Sequence, residues 1–322
     1  MTTIRTGIVM DPIAAINPAK DSSLAMLLEA QQRGHELVCF ELDDLHLVAG
    51  EARGRGRPLT VSDSAERWFE LGKPVDQPLG ACDVLMMRKD PPFDMEYIYA
   101  TYILERAELD GALVVNKPAA LRDINEKAFT AWFPQCAPTT LITRSQAELR
   151  AFREQQGSIV VKPLDGMGGK SIFVVNPGDN NANVIFETLT RDGTGYAMAQ
   201  SYIPEISDGD KRIILVNGAA PQYALARVPG KDDNRGNLVM GATGELRELT
   251  ERDRWICAEV GPELRRRGVV FAGLDVIGDY LTEVNVTSPT GIREIHKLSG
   301  VNLAAELMEQ IEAELHARRA AA

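Results

Sequence analysis

Hydrophobic and polar positions alternate along this chain in blocks that read as strand, helix, strand. Residues 4–10 form a short, mostly apolar run suited to a buried strand. Asp21, Ser22 and Ser23 then offer cap oxygens to a helix whose Leu24, Leu27, Leu28 and Gln31 fall on one face, and Gly34 supplies a stop. Residues 36–42 return as a strand, completing a β-α-β unit. The pattern recurs: 83–87 is apolar, RKDPPFD is a rigid turn, Asp94 caps a helix through 110, Gly111 ends it, and 112–115 is a strand. The first 121 residues are therefore predicted to be an open α/β domain with parallel strands. In such sheets ligand-facing residues follow the strand ends, here Asp11-Pro12 and Arg88-Lys89-Asp90.

Beyond Lys117-Pro118 the character changes. Residues 125–133 are predicted helical, 140–143 and 159–162 strands, and 172–175 another strand. GLDVI and YLTEVN read as a hairpin turning at Gly278-Asp279. Residues 303–319 form an amphipathic helix whose Arg318 and Arg319 suit its dipole and read most simply as a solvated end. The stretch 228–244, VPGKDDNRGNLVMGATG, is the most loop-like in the chain, either a lid or a surface excursion.

A chain of 322 residues exceeds what one core usually supports, so two or three subdomains are expected. With 44% hydrophobic and 25% charged residues the composition is that of a soluble globular protein. The net charge of -11 argues against nucleic acid or an anionic membrane as main partner. Cys39, Cys82, Cys136 and Cys257 lack metal or redox spacing, which predicts reduced thiols in a cytoplasmic chain. The start MTTIRTGIVMD has no signal-peptide features, and no apolar stretch approaches a membrane span.

Glycines cluster in VKPLDGMGGKS at 161–171. A Walker loop would need glycine where Leu164 stands, and the dinucleotide fingerprint would need glycine at Ser171. The stretch is an ordinary turn or a phosphate loop of another kind, and its place between two strands makes it a hairpin tip. Lys162 ends the preceding apolar strand, where a solubilising lysine is unexpected; Lys127 reads equally well as a surface residue. Arg212 and Arg227 flank strand-like segments and carry no signal alone.

Asp275, Glu283 and Asn285 place three oxygen-bearing side chains in one hairpin, the hard donors Mg²⁺ prefers. Register decides whether they converge. A plain two-residue turn pairs Asp275 with Thr282 and puts it on the face opposite Glu283, so a metal site requires a longer or bulged turn. An edge hairpin with solvated acids is the alternative.

Taken in order, NEK, VVKPLDGMGG, MAQSYIP, DGDKRI, LARVP, RGN, GLDVIGD, LTEVNVTSP and IRE closely resemble the ATP-grasp ligases, and within them the bacterial glutathione synthetase family. IVMDPI, KDSSLAMLLEAQ, LMMRKDPPFD, YIYATYILERAE and NKP extend the resemblance to the first domain. It implies an α/β fold, an open parallel domain (1–121) followed by an ATP-grasp fold of two α+β subdomains, 122–202 with the glycine loop and 203–322 with lid and metal site. It implies ATP contacts from Lys127, Lys162, Gly168, Gly169, Gln200, Tyr202, Ile203 and Asp210, the last on the ribose. Asp275, Glu283 and Asn285 match the family's Mg²⁺ ligands, with Mn²⁺ as a substitute. Arg212 and Arg227 would face the transferred phosphoryl and the acyl group. Arg88, Ser288, Pro289 and Thr290 match the substrate neighbourhood, with a lesser part for 20–23, and Arg235, Gly236 and Asn237 match a mobile cover.

The implied reaction joins γ-glutamylcysteine and glycine through an acyl phosphate in a homo-oligomer, a tetramer. Three positions depart from the pattern: Gly291 stands for an expected cysteine, Lys170 for a small residue, and NLVMGATG for a more glycine-rich segment. Another carboxylate-amine ligase of the same fold, or a non-catalytic ATP-binding regulator, are the competing readings.

Overall fold

The computed structural model describes residues 3–228 and 243–321, which build three sheets in chain order. The first contains β1 (Arg5–Val9), β2 (Glu36–Phe40), β3 (Leu45–Val48), β4 (Glu51–Val61), β5 (Phe69–Leu71), β6 (Val75–Pro78), β7 (Val84–Met87) and β8 (Leu113–Val115). Its helices are α1 (Ser22–Gln32), α2 (Met95–Leu109) and α3 (Pro118–Asp123). Asp21 caps α1 by accepting from Leu24 N at 2.7 Å, and Asp94 caps α2 by accepting from Tyr97 N at 3.0 Å, as the sequence predicts.

Pairings β2-β1-β7-β8 are parallel. The expectation of parallel strands needs correcting for residues 45–78. There β4 runs antiparallel to β2, β3, β5 and β6 and extends one edge of the sheet. Gly54 and Gly56 stand at inward positions of β4 because Phe40 fills the space: a Cβ would lie 2.8 Å and 2.7 Å from its ring.

The second sheet, order β11-β10-β12-β9, comprises β9 (Thr140–Thr143), β10 (Ile159–Pro163), β11 (Phe173–Val175) and β12 (Ala197–Ser201). Helices α4 (Gln146–Gln156) and α5 (Ala182–Thr190) cover its inner face through Leu149, Phe152, Phe186 and Leu189. The segment expected to be helical over 125–133 is a single short 3-10 helix at Ala128–Trp132, because Asn125 and Glu126 are drawn into bonds with neighbouring segments.

The third sheet, order β15-β14-β13-β16-β17, comprises β13 (Asp210–Val216), β14 (Tyr223–Val228), β15 (Thr243–Glu248), β16 (Phe271–Ile277) and β17 (Tyr280–Asn285). Helix α6 (Glu251–Arg266) packs Ile256, Val260 and Leu264 against its far face. Helices α7 (Ile292–Ser299) and α8 (Leu303–Ala321) return to the first sheet, where Leu307, Met308, Ile311 and Leu315 share a core with α1 and β1. Arg319 is not merely solvated; it pairs with Asp83 at 2.7 Å, and Arg33 pairs with Glu312 at 3.1 Å. Buried Asn116 ties the two regions together, donating to Phe271 O and Val286 O and accepting from Val270 N and Phe271 N.

Candidate active site

The side-chain period of two in a strand makes one face of the third sheet the chemical one. Asp210 and Arg212 alternate on β13, with Arg227 on β14 opposite Asp210 and Asp275 on β16 opposite Arg212. Gly273 faces Asn285, and Asp275 faces Glu283. The register question is answered by a bulge: Ile277 pairs with Tyr280 and Val276 with Leu281, then Thr282 is the extra residue, and pairing resumes at Asp275–Glu283. The three proposed metal ligands thus share one face. Thr282 Oγ1 donates to Asp275 O at 3.1 Å, holding the bulge.

Charge on this face is internally matched. Arg212 donates to both oxygens of Asp275, at 2.5 and 3.0 Å, and Arg227 reaches Asp275 at 2.9 Å and bonds Asp210. Burial pushes Asp275 upward, but the two guanidiniums outweigh it and hold the carboxyl well below the usual range. Asp210 fares otherwise: burial dominates, Arg227 opposes it and Asp275 adds to it, leaving Asp210 raised to about 7 with one oxygen unbonded.

Glu283 lies 3.5 Å from Lys162 and 3.7 Å from Lys127. Burial would raise its carboxyl, yet the two lysines bring it below its ordinary value. Lys162 is lowered by burial, with Glu283 countering. Lys127, which sequence left open as a surface residue, is buried. Two cations on one carboxylate leave positive charge to spare for a polyphosphate.

The glycine loop is the tip of the antiparallel β10–β11 hairpin. Gly168 and Gly169 have φ of 65° and 76°, where a side chain would be strained. The NEK segment grips this loop: Asn125 donates to Leu164 O at 3.1 Å and Lys127 to Gly166 O at 2.5 Å. Inward alternation on β10 sends Ile159 and Val161 to the core while Val160 and Lys162 face the other way.

Between the second and third sheets lies a cavity of about 340 Å³. Val160, Val174, Gln200, Tyr202, Ile203 and Ile277 give it an apolar end, fit for a planar base. The other end is polar, formed by Asp210, Arg212, Arg227, Asp275, Glu283 and Asn285, with the Ser288-Pro289-Thr290 loop beside it. Asp210 sits in this charged end, bonded to Arg227, although the adenine-side residues share the same cavity. Arg88 does not line this cavity. It lies behind the loop, donating to Ser23 Oγ and Pro289 O with its guanidinium over Phe271, and so supports the loop. Arg235, Gly236 and Asn237 fall outside the described residues.

Glu126 lines the cavity and was visible in sequence only as the middle of NEK. Its Oε1 accepts from Val286 N, Thr287 N and Thr287 Oγ1 at 2.8, 3.0 and 2.9 Å. No periodicity foretells such a side-chain grip on a distant backbone.

Asp275, Glu283 and Asn285 suit a hard divalent cation: two carboxylates and an amide on one face, next to cations that could hold phosphate. Among the described residues no cluster of three or more His, Cys, Asp or Glu could hold a metal. No described helix is long and apolar enough to cross a membrane.

Comparison with known proteins agrees with this geometry. Residues 4–122 match the family model of the prokaryotic glutathione synthetase N-terminal domain, and residues 126–300 that of its ATP-grasp domain. The chain is 57% identical to glutathione synthetase of Escherichia coli O127:H6 over 97% of this chain and 99% of the other, and 57% identical to that of Pseudomonas aeruginosa over 98% and 100%. The solved D-cycloserine synthetase DcsG shares the fold, with a TM-score of 0.67 over 95% of this chain and 99% of the other at 13% identity. From the two-domain match and the full-length identity, the chain belongs to the prokaryotic glutathione synthetase family of ATP-grasp ligases.

Proposed function

We propose that this protein joins γ-glutamylcysteine and glycine to form glutathione, with ATP cleaved to ADP and phosphate. The observation that carries this reading is the bulged β16–β17 hairpin, which sets Asp275, Glu283 and Asn285 on one face among Arg212, Arg227, Lys127 and Lys162. A carboxylate resists nucleophiles because of its charge, so the cysteinyl carboxylate first takes the γ-phosphoryl of ATP. Lys127 and Lys162 bind the phosphates while the amides of Gly168 and Gly169 approach them. Gln200, Tyr202 and Ile203 read the base, and Asp210 is assigned to the ribose side.

Arg212 and Arg227 hold charge that develops on the transferred group and on the acyl oxygen. The glycine amine, freed of its ammonium proton, attacks the acyl carbon; the C–N bond forms, the C–O bond to phosphate breaks, and phosphate leaves and can take up the proton. Asp275, Glu283 and Asn285 would hold Mg²⁺, or Mn²⁺ in its place, and the bound cation would neutralise phosphate charge. Ser288, Pro289 and Thr290, backed by Arg88, border the acyl and acceptor sites. Arg235, Gly236 and Asn237 are assigned to a cover that would shield the intermediate from water. The domain division is 1–121, 122–202 and 203–322, and the working form is a cytoplasmic homo-oligomer, a tetramer in this reading.

The test is phosphate release with ATP, Mg²⁺ and γ-glutamylcysteine, with and without glycine, while mass spectrometry follows the tripeptide. Glycine-dependent release matched by glutathione is the expected result. ATP binding without release would point to a regulator, and release restored only by other acids or amines would change the substrates. Gel filtration with light scattering reads the oligomer, and Mn²⁺ titration reads the metal.

A further inference from the structure

Glu126 is a carboxylate in the cavity wall whose two oxygens live differently. Oε1 is saturated by the Val286 and Thr287 amides and the Thr287 hydroxyl. Oε2 makes no hydrogen bond among the described residues, and no described Lys, Arg or His pairs with the side chain. Three donors fix the carboxylate plane, so Oε2 is held in place without a partner of its own. Glu126 is half-buried in the cavity wall, and a fixed carboxylate oxygen left open there is a ready partner for a cationic group.

We propose that Glu126 Oε2 receives the ammonium group of the acceptor amino acid and holds its nitrogen against the activated carbonyl, so that once the ammonium has given up a proton, which the phosphate can take, the free amine attacks that carbon and phosphate leaves. This rests on the ligase reading above. Position selects the acceptor over the other ammonium in the reaction. The Glu126 backbone carbonyl accepts from Val284 N at 2.8 Å, which sets the residue alongside the strand carrying Glu283 and Asn285. Its sequence neighbour Lys127 reaches Glu283 itself. The dipeptide's own ammonium lies at the opposite end from its reacting carboxylate, whereas the acceptor nitrogen must come into bonding distance of that carbon. The Thr287–Thr290 stretch that Glu126 pins forms the adjoining wall, so the same side chain shapes the subsite and supplies its charge.

The test compares a charged with a neutral nucleophile in Glu126→Gln, which keeps an acceptor oxygen for the three donors but loses the charge. The wild type and the variant are assayed with ATP, Mg²⁺, γ-glutamylcysteine and either glycine or hydroxylamine, which is uncharged at neutral pH. The expected result is a rise of about tenfold or more in the KM for glycine, the cost of one charge-assisted contact. Hydroxamate formation and the KM values for ATP and dipeptide stay within about twofold. An equal loss with both nucleophiles would reduce Glu126 to a loop pin, and an unchanged KM for glycine would overturn the proposal outright.

Should the variant not fold, the wild type gives a second reading: methylammonium competes with glycine and acetate does not, whereas competition by acetate alone refutes the ammonium anchor. If the protein proves to use another amine, the contrast between charged and neutral nucleophile still decides the role of Glu126. Failure of the glutathione assay itself bears on the substrate assignment instead.

Discussion

Asp275→Asn removes one negative charge from a buried cluster and changes almost no volume. In the native protein Asp275 takes three contacts, two from Arg212 at 2.5 and 3.0 Å and one from Arg227 at 2.9 Å. At a separation of about 3 Å and an effective dielectric of about 20, each charge pair attracts by roughly 5–6 kcal/mol before desolvation is charged against it. Removing one partner leaves a buried guanidinium uncompensated, and the net loss expected is about 3–5 kcal/mol, a large part of an ordinary stability. The sign with pH follows from the depressed native carboxyl. Its contribution is full above the unfolded value near 4 and is lost only as pH falls toward the lower native one, so the deficit persists across neutral pH.

The surplus positive charge has a second effect: metal-free ATP should bind the variant at least as well as the wild type and restore part of the lost stability, while ligation falls at least about 1000-fold. Urea unfolding followed by tryptophan fluorescence, with and without ATP, measures both. A variant within 1 kcal/mol of wild type and indifferent to ATP would refute the view that this cluster is a charge balance awaiting phosphate.

Asp210→Asn should cost under about 1 kcal/mol at pH 6, because an acid raised to about 7 is already mostly protonated there; the wild type should lose stability as pH rises from about 4 through 7, and the variant should not, as pH-dependent urea midpoints will show. Lys162→Met should weaken ATP binding about 10- to 100-fold by calorimetry while leaving the ligand-free unfolding midpoint near wild type, since it deletes a cation lowered by burial but leaves Lys127 on Glu283. Gly273→Ala would put a Cβ 2.9 Å from both Arg212 Cδ and Pro289 Cβ, so turnover should fall at least about tenfold with a cost of about 1–3 kcal/mol, read by steady-state rates and thermal unfolding.

The elements most visible in sequence were those with one physical cause. Caps at Asp21 and Asp94 and the apolar runs of β1, β2, β7 and β8 read directly, because local chemistry decides them. The hairpin carrying Asp275 and Glu283 was legible as a condition: only a bulged or longer turn brings them together, and the bulge at Thr282 does. Residues 45–78 escaped because Gly54 and Gly56 occupy buried positions of β4, so its alternation contains no side chain to count. Arg88 looked like a ligand-facing residue at a strand end, but the Pro289 carbonyl and Ser23 hold it behind the loop, a contact across two domains that no local pattern encodes. Glu126 escaped for the same reason, its partners lying 160 residues away.

The last helix has a bearing on how the chain is made. Helix α8 supplies Leu303, Leu307, Met308, Ile311 and Leu315 to the core that α1 and β1 begin. During synthesis the first domain therefore emerges with an apolar face of α1 uncovered, and it stays so until residues 303–321 leave the ribosome. The nascent first domain is the stage at which a chaperone would be needed, and docking of α8 against α1 and β1 closes that core.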